Sequence, residues 1–165
     1  MAIREIITQG DPVLNKKCHP VTKFDSKLAD LLDDMKETLA KANGLGLAAP
    51  QVGILRRAVI VVNENGEMME LVNPEIVDQK GEIEGLEGCL SVPGKYGYVT
   101  RPAWAKVKAQ DRDGNWFEVE GIDMVARCFC HELGHLDGHL YVELTDRLYT
   151  PEELDAMYDD EEDGE

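Results

Sequence analysis

What this chain of 165 residues lacks narrows its roles before any motif is read. No stretch approaches the roughly 18 apolar residues of a membrane span, and the first fifteen positions carry Glu5, Gln9 and Asp11 where a secretion signal keeps an apolar run. The expectation is a soluble, unexported protein with no membrane partner. Positive charge is scarce, with 17 Lys and Arg against 33 Asp and Glu, a formal net charge of -16. Nine of those acids and no base fall in residues 151–165, leaving 24 acids and 17 bases in the rest, a net of -7. Such a surface argues against binding a phosphate backbone, which needs clustered Lys and Arg, so nucleic acid is not an expected partner. The four cysteines, Cys18, Cys89, Cys128 and Cys130, fit a reduced compartment better than a disulfide framework, which frees them as ligands, nucleophiles or core residues. There are no internal repeats and no linker ahead of the acidic end. One domain over residues 1–150 and an acidic, disordered tail over 151–165 follow.

The body of the chain reads as short mixed elements. Leu28, Leu31, Leu32, Met35, Leu39 and Ala42 recur at helical spacing after Asp25 and Ser26, either a good N-cap, and Gly44 ends the run. Residues 57–62 (RAVIVV) are β-branched and short, as in a buried strand, and Met69 to Val72 reads as another before Asn73-Pro74. Residues 106–110 and 116–120 flank the turn Arg112-Asp113-Gly114-Asn115 and predict a hairpin. The Gly-rich residues 81–97 predict irregular backbone mixed with short extended pieces. A second helix is predicted from Ile122 to about His139.

That second helix carries His131-Glu132-Leu133-Gly134-His135, an HExxH pattern. Residues four apart share a helical face, so His131 and His135 can present two nitrogens to one metal while Glu132 flanks a water on it. Met124, Arg127 and Cys128 fall on the same face and form a plausible pocket wall. A catalytic metal normally takes three protein ligands and keeps an open position. The extended pattern HExxHxxGxxH would put its third histidine at position 141, which is Tyr141. Cys128 lies seven residues from His135, about 10.5 Å along a helix axis, and His139 lies eight residues beyond His131, so neither bridges comfortably. Glu152 or Glu153 could act from a later helix, and Cys89 could act from the tight segment Glu87-Gly88-Cys89-Leu90-Ser91-Val92-Pro93, where glycines permit close backbone approach.

Three stretches together resemble the peptide deformylases, marked by GxGxAAxQ, EGCxS and HExDH. This chain has Gly44-Leu45-Gly46-Leu47-Ala48-Ala49-Pro50-Gln51, then Glu87-Gly88-Cys89-Leu90-Ser91, then His131 to His135, in the family's order. The resemblance spans roughly residues 2–148, including Asp11-Pro12-Val13-Leu14. It implies that Cys89 as thiolate joins His131 and His135 around one divalent metal ion, typically Fe2+, with Zn2+, Ni2+ or Co2+ able to substitute. It implies Glu132 as general base and then acid, and Gln51 (side-chain amide) and Leu90 (backbone N–H) as oxyanion donors. The segment Gly44-Leu45-Gly46, with Gly88, pairs with the substrate backbone, and Met124, Arg127 and Cys128 line part of the methionine pocket. The implied fold is α+β, with short, mostly antiparallel sheets packed around the HExxH helix and the first helix outside. The implied partners are N-formylmethionyl ends of nascent chains, in a bacterial cytoplasm. Two positions depart from the family pattern: Gly134 stands where Asp is usual and Cys130 where Gln is common. An HExxH endopeptidase using Glu152 or Glu153, and a non-catalytic metal-binding protein, are the rival expectations.

Overall fold

The computed structural model describes residues 2–163, with side chains through residue 157. Its framework is a five-stranded antiparallel sheet with a helix on each face. Helix α1, Ser26–Ala42, starts where the Asp25 carboxylate accepts from the Leu28 N–H at 3.2 Å. It stops at Asn43, whose φ of 55° turns the chain left-handed one residue before the predicted Gly44. Strand β1 is Gly46–Ala48, β2 is Ala58–Val62 and β3 is Met68–Lys80.

Strand β2 shows why the sheet is filled on both sides. Val59 and Val61 point to one face with Leu71, while Ala58 and Ile60 point to the other with Val72. The second face receives Leu28, Leu31, Leu32, Met35 and Leu39 of α1. The first receives Val125, Ala126, Phe129, Leu133 and Leu136 of helix α2, Met124–Leu136. A strand covered on both faces must be apolar at every position, which is why residues 58–62 do not alternate.

The sheet is completed by β6, Trp104–Gln110, and β7, Trp116–Ile122, in the order β1-β2-β3-β6-β7. They form the predicted hairpin, whose turn is tied by the Asp111 carboxylate accepting from Asp113 and Asn115 N–H. Strand β3 runs on past Asn73-Pro74, where the sequence suggested an end. Asn73 takes φ 49° and the register with β6 shifts between Val72 and Glu75, so a bulge absorbs the proline that cannot donate to the ladder. The Asn73 side chain also accepts from Val21 N–H and donates to Val21 C=O.

Residues 81–97 are more regular than expected. Strands β4, Ile83–Cys89, and β5, Val92–Arg101, pair as an antiparallel hairpin, a second sheet of two strands, with a register shift between Gly88 and Cys89. The acidic end also differs from the composition-based expectation: Pro151–Asp163 is helix α3. Thr150 Oγ1 accepts from the Glu153 N–H and the Glu153 carboxylate accepts from the Thr150 N–H, each at 3.2 Å, and this reciprocal cap starts the helix. Residues 164–165 lie outside the described range, as do the side chains of residues 158–163. Among the described residues no helix is long and apolar enough to cross a membrane.

Candidate metal centre and active site

Helix α2 buries its HExxH segment: His131, Glu132 and His135 are 8%, 4% and 1% exposed. One helical turn separates the two imidazoles, whose ring centroids lie 5.0 Å apart. Cys89, at the end of β4, comes to them from the other sheet, its Sγ 3.4 Å from His135 Nε2. One donor atom from each of Cys89, His131 and His135 lies within 4.8 Å of the others. The remaining candidates for a third ligand are elsewhere. Burial raises the Cys128 thiol to about 12 and it stays outside the cluster, His139 bonds the Glu143 carboxylate on the exterior, and Glu153 is held by Arg147 and Thr150. Glu152 forms no group with the histidines among the described residues.

The surroundings prepare these three groups for a cation. His131 Nδ1 donates to Glu87 Oε1 at 2.7 Å, which turns the lone pair of Nε2 inward. Glu87 is itself buried and fixed by Arg101 through two bonds of 2.9 Å and by Arg127 at 2.7 Å. Burial raises its pKa, but the bonds from His131 and Arg101 outweigh that and bring it down to about 2. Burial also opposes charge on His131, yet Glu132 first and then Cys89 and Glu87 raise its pKa to about 10. The pocket thus calls for positive charge where a divalent cation would sit. His135 is pushed down to about 3 by burial and by His131, so it is neutral, as a metal ligand must be. The donor set of one sulfur and two imidazoles fits a divalent transition metal.

Glu132 completes the site. Its Oε1 is buried without a partner, and burial raises its pKa to about 7. A carboxylate left unpaired in an apolar setting is costly unless a solvent or substrate proton is its intended partner. Gly46 makes room for it: a Cβ there would meet Glu132 Cγ and Cδ at 2.9 Å. Gln51 is fixed at both ends of its amide. Its Oε1 accepts from Ala48 N–H at 2.9 Å, so Nε2 faces Ser91 Oγ at 3.0 Å and Cys89 Sγ at 3.6 Å. Leu90 stands in the turn joining β4 to β5.

A cavity of about 380 Å³ opens over these groups. Gly44, Leu45, Gly46, Gly88, Cys89 and Leu90 line it, as do Met124, Arg127 and Cys128. Each site residue implied by the resemblance lines the cavity or belongs to the metal cluster, whereas His139, Glu152 and Glu153 do neither.

A model of the family described as polypeptide deformylase matches residues 3–150. The chain belongs to that family. A peptide deformylase from Agathobacter rectalis is 55% identical over 143 residues, covering 87% of this chain and 90% of its own length. One from Caldicellulosiruptor bescii is 52% identical over 155 residues, covering 94% and 93%. Among solved structures, the peptide deformylase of Legionella pneumophila superposes with a TM-score of 0.84 at 41% identity, covering 95% of this chain and 96% of that one. The Ehrlichia chaffeensis peptide deformylase in complex with actinonin gives 0.86 at 35% identity, covering 89% and 91%. Deformylation of nascent chains is the activity of this family, whose members are metal-dependent hydrolases.

Several deformylase site features escaped the sequence reading. Glu87 lay inside the quoted EGCxS motif, but its bond to His131 could not be seen there. Arg101 offered no signal at all. Tyr141, at the position of the absent third histidine, stacks on His131 with centroids 5.9 Å apart and donates to the Lys95 carbonyl at 3.0 Å. At Gly134 an added Cβ would have only His139 atoms within 4 Å, so this departure from the family pattern leaves the three metal-binding side chains untouched.

Proposed function

We propose that residues 1–150 form one catalytic domain, with the HExxH helix at its centre, that removes the formyl group from N-formylmethionyl ends of nascent polypeptides in a bacterial cytoplasm and releases formate. Cys89, His131 and His135 hold one divalent metal ion, Fe2+ by the resemblance to the family, with Zn2+, Ni2+ or Co2+ able to occupy the same donors. When bound, the cation supplies Lewis acidity and lowers the pKa of water from 15.7 toward about 7.

The chain's own groups do the rest. Glu132, buried and without a partner, accepts the proton of the attacking water and later delivers it to the departing amine, which leaves poorly unless protonated. The negative oxygen that develops on the formyl carbon is met by Gln51 Nε2 and the Leu90 N–H. Loss of one such donor costs about 10²–10³ in rate. The Ala48 N–H and Ser91 Oγ hold the Gln51 amide in that orientation before substrate arrives. The substrate main chain lies extended along Leu45 and Gly46 on one side and Gly88 on the other. Its methionine side chain enters beside Met124, Arg127 and Cys128.

The observation that carries this reading is the meeting of Cys89, from one sheet, with two histidines from α2 beside a carboxylate that has no protein partner. Formate release from a short formyl-Met peptide, with protein loaded anaerobically with Fe2+, tests it. Formate is expected from that peptide and no acetate from its acetylated twin. Internal cleavage of an unfolded protein would point to an endopeptidase instead, and bound metal without turnover to a non-catalytic protein.

A further inference from the structure

The metal cluster is assembled from two sheets that share no strand ladder. Helix α2, with His131 and His135, packs on the five-stranded sheet through apolar contacts, whereas Cys89 belongs to the β4–β5 hairpin. Among the described residues the hairpin strands and α2 are tied by a small polar group, in which the bond from His131 Nδ1 to Glu87 Oε1 reaches one strand and Arg127 reaches both. Arg127 Nη1 donates to Glu87 Oε2 at 2.7 Å and to the Val99 carbonyl at 2.9 Å, and its Nη2 donates to the Ile83 carbonyl at 2.8 Å. The guanidinium is 7% exposed. Arg101 also grips Glu87, but both of these residues lie on the hairpin, so that pair does not reach across to the helix.

We propose that Arg127 is a positioning residue: it latches the helix bearing His131 and His135 to the hairpin bearing Cys89, and so sets the spacing of the three metal-binding atoms before the ion arrives. The planar fork is what the task requires. Three acceptors on two strands are reached from one rigid group, whereas a lysine ammonium, a point charge on a flexible stem, cannot hold that arrangement. Gly85 supports the same role. A Cβ there would lie 2.8 Å from Arg127 Nη2 and 3.0 Å from Cζ, so the strand is kept bare where the guanidinium crosses it. The latch rests on the metal-site reading above and is independent of which amide the protein hydrolyses.

The test uses the full chain and Co2+ alone as probe. Affinity is read by competition with a chelator, and thiolate coordination by the sulfur-to-cobalt charge-transfer band. Arg127→Met is expected to weaken Co2+ binding about 10- to 100-fold and to change that band, the range found when groups supporting metal ligands are removed. Arg127→Lys should fall between it and the parent. Gly85→Ala, which displaces the guanidinium without deleting it, should act in the same direction and carries the test if Arg127→Met does not fold. Arg112→Met, which breaks the pairs with Glu70 and Asp33, controls for lost stability and should leave Co2+ affinity within about twofold. The proposal is overturned if Arg127→Lys and Gly85→Ala melt earlier but bind Co2+ within about threefold of the parent with an unchanged band. Failure to release formate with this affinity loss intact would sink the functional reading and leave the latch standing.

Discussion

Replacing Gly46 with alanine places a methyl group against the Glu132 carboxylate. The new Cβ would stand 2.9 Å from Cγ and Cδ, so the two must part by roughly 0.5 Å or more to reach ordinary contact. Gly46 is held opposite Val61 in the β1–β2 ladder, so the Glu132 side chain, which lines the cavity, is the part that gives way. The displacement therefore moves the base relative to the water it must deprotonate. A misplacement of about 1 Å can cost 10²-fold in rate, equivalent to about 2.7 kcal/mol of barrier. Formate release under saturating formyl-Met peptide should fall about 10²-fold in Gly46→Ala, while Zn2+ or Co2+ affinity changes less than twofold because Cys89, His131 and His135 are untouched. A kcat within threefold of the parent would show that the close approach of β1 to Glu132 has no bearing on proton transfer.

Three further substitutions address other parts of the site. Glu132→Gln keeps the shape and removes the proton acceptor, so kcat should drop about 10²- to 10⁴-fold with metal retained; residual activity above a tenth of the parent would exclude Glu132 as the base. The parent's kcat/KM should decline on the acid side as Glu132 takes up a proton, at a pH below 7 because a bound cation lowers the value of about 7 that burial imposes in its absence. Glu87, whose pKa is lowered from 4.5 to about 2 in the fold, stabilises the native state at and above about pH 4.5, and that contribution of about 3 kcal/mol is lost as pH falls toward 2. In metal-free protein, Glu87→Gln should accordingly lose about 2 kcal/mol less than the parent between pH 6 and pH 3 in urea unfolding, and equal losses would refute the assignment. Gly134→Ala should raise the melting temperature by about 2–4 °C, since a helical glycine costs about 1 kcal/mol and the nearest atom, the His139 carbonyl oxygen, is 3.8 Å from the added carbon. A lower melting temperature by calorimetry would contradict this.

How far the sequence revealed the molecule depends on whether its signals were local. Helix α1 was legible because its apolar spacing, the Asp25 cap and the stop near Asn43 all lie within one segment. Strand β2 was legible because burial on both faces forces an unbroken apolar run. The β4–β5 hairpin was not, because Gly85 and Gly88 looked like loop residues. Their bareness answers to Arg127 and to the Tyr96 ring, contacts that no local pattern records. Helix α3 was a local signal overlooked: Thr150-Pro151-Glu152-Glu153 is a capping sequence, but the charge of the segment dominated the reading. At the site, motifs marked the residues that could meet metal and substrate. Arg101, which helps to orient them, carries no spacing rule, and the bond from Gln51 to Ser91, although Ser91 ends the EGCxS motif, became visible only when the two sheets were in place.

Strand β1 has a neighbour on one side only, and so does β4, and residues of both line the cavity. On the proposed reading, an extended peptide entering there would be gripped by its amides, which are the same in every polypeptide whatever gene encoded it. A single catalyst can in this way serve an entire proteome, handling thousands of unrelated clients with one small slot.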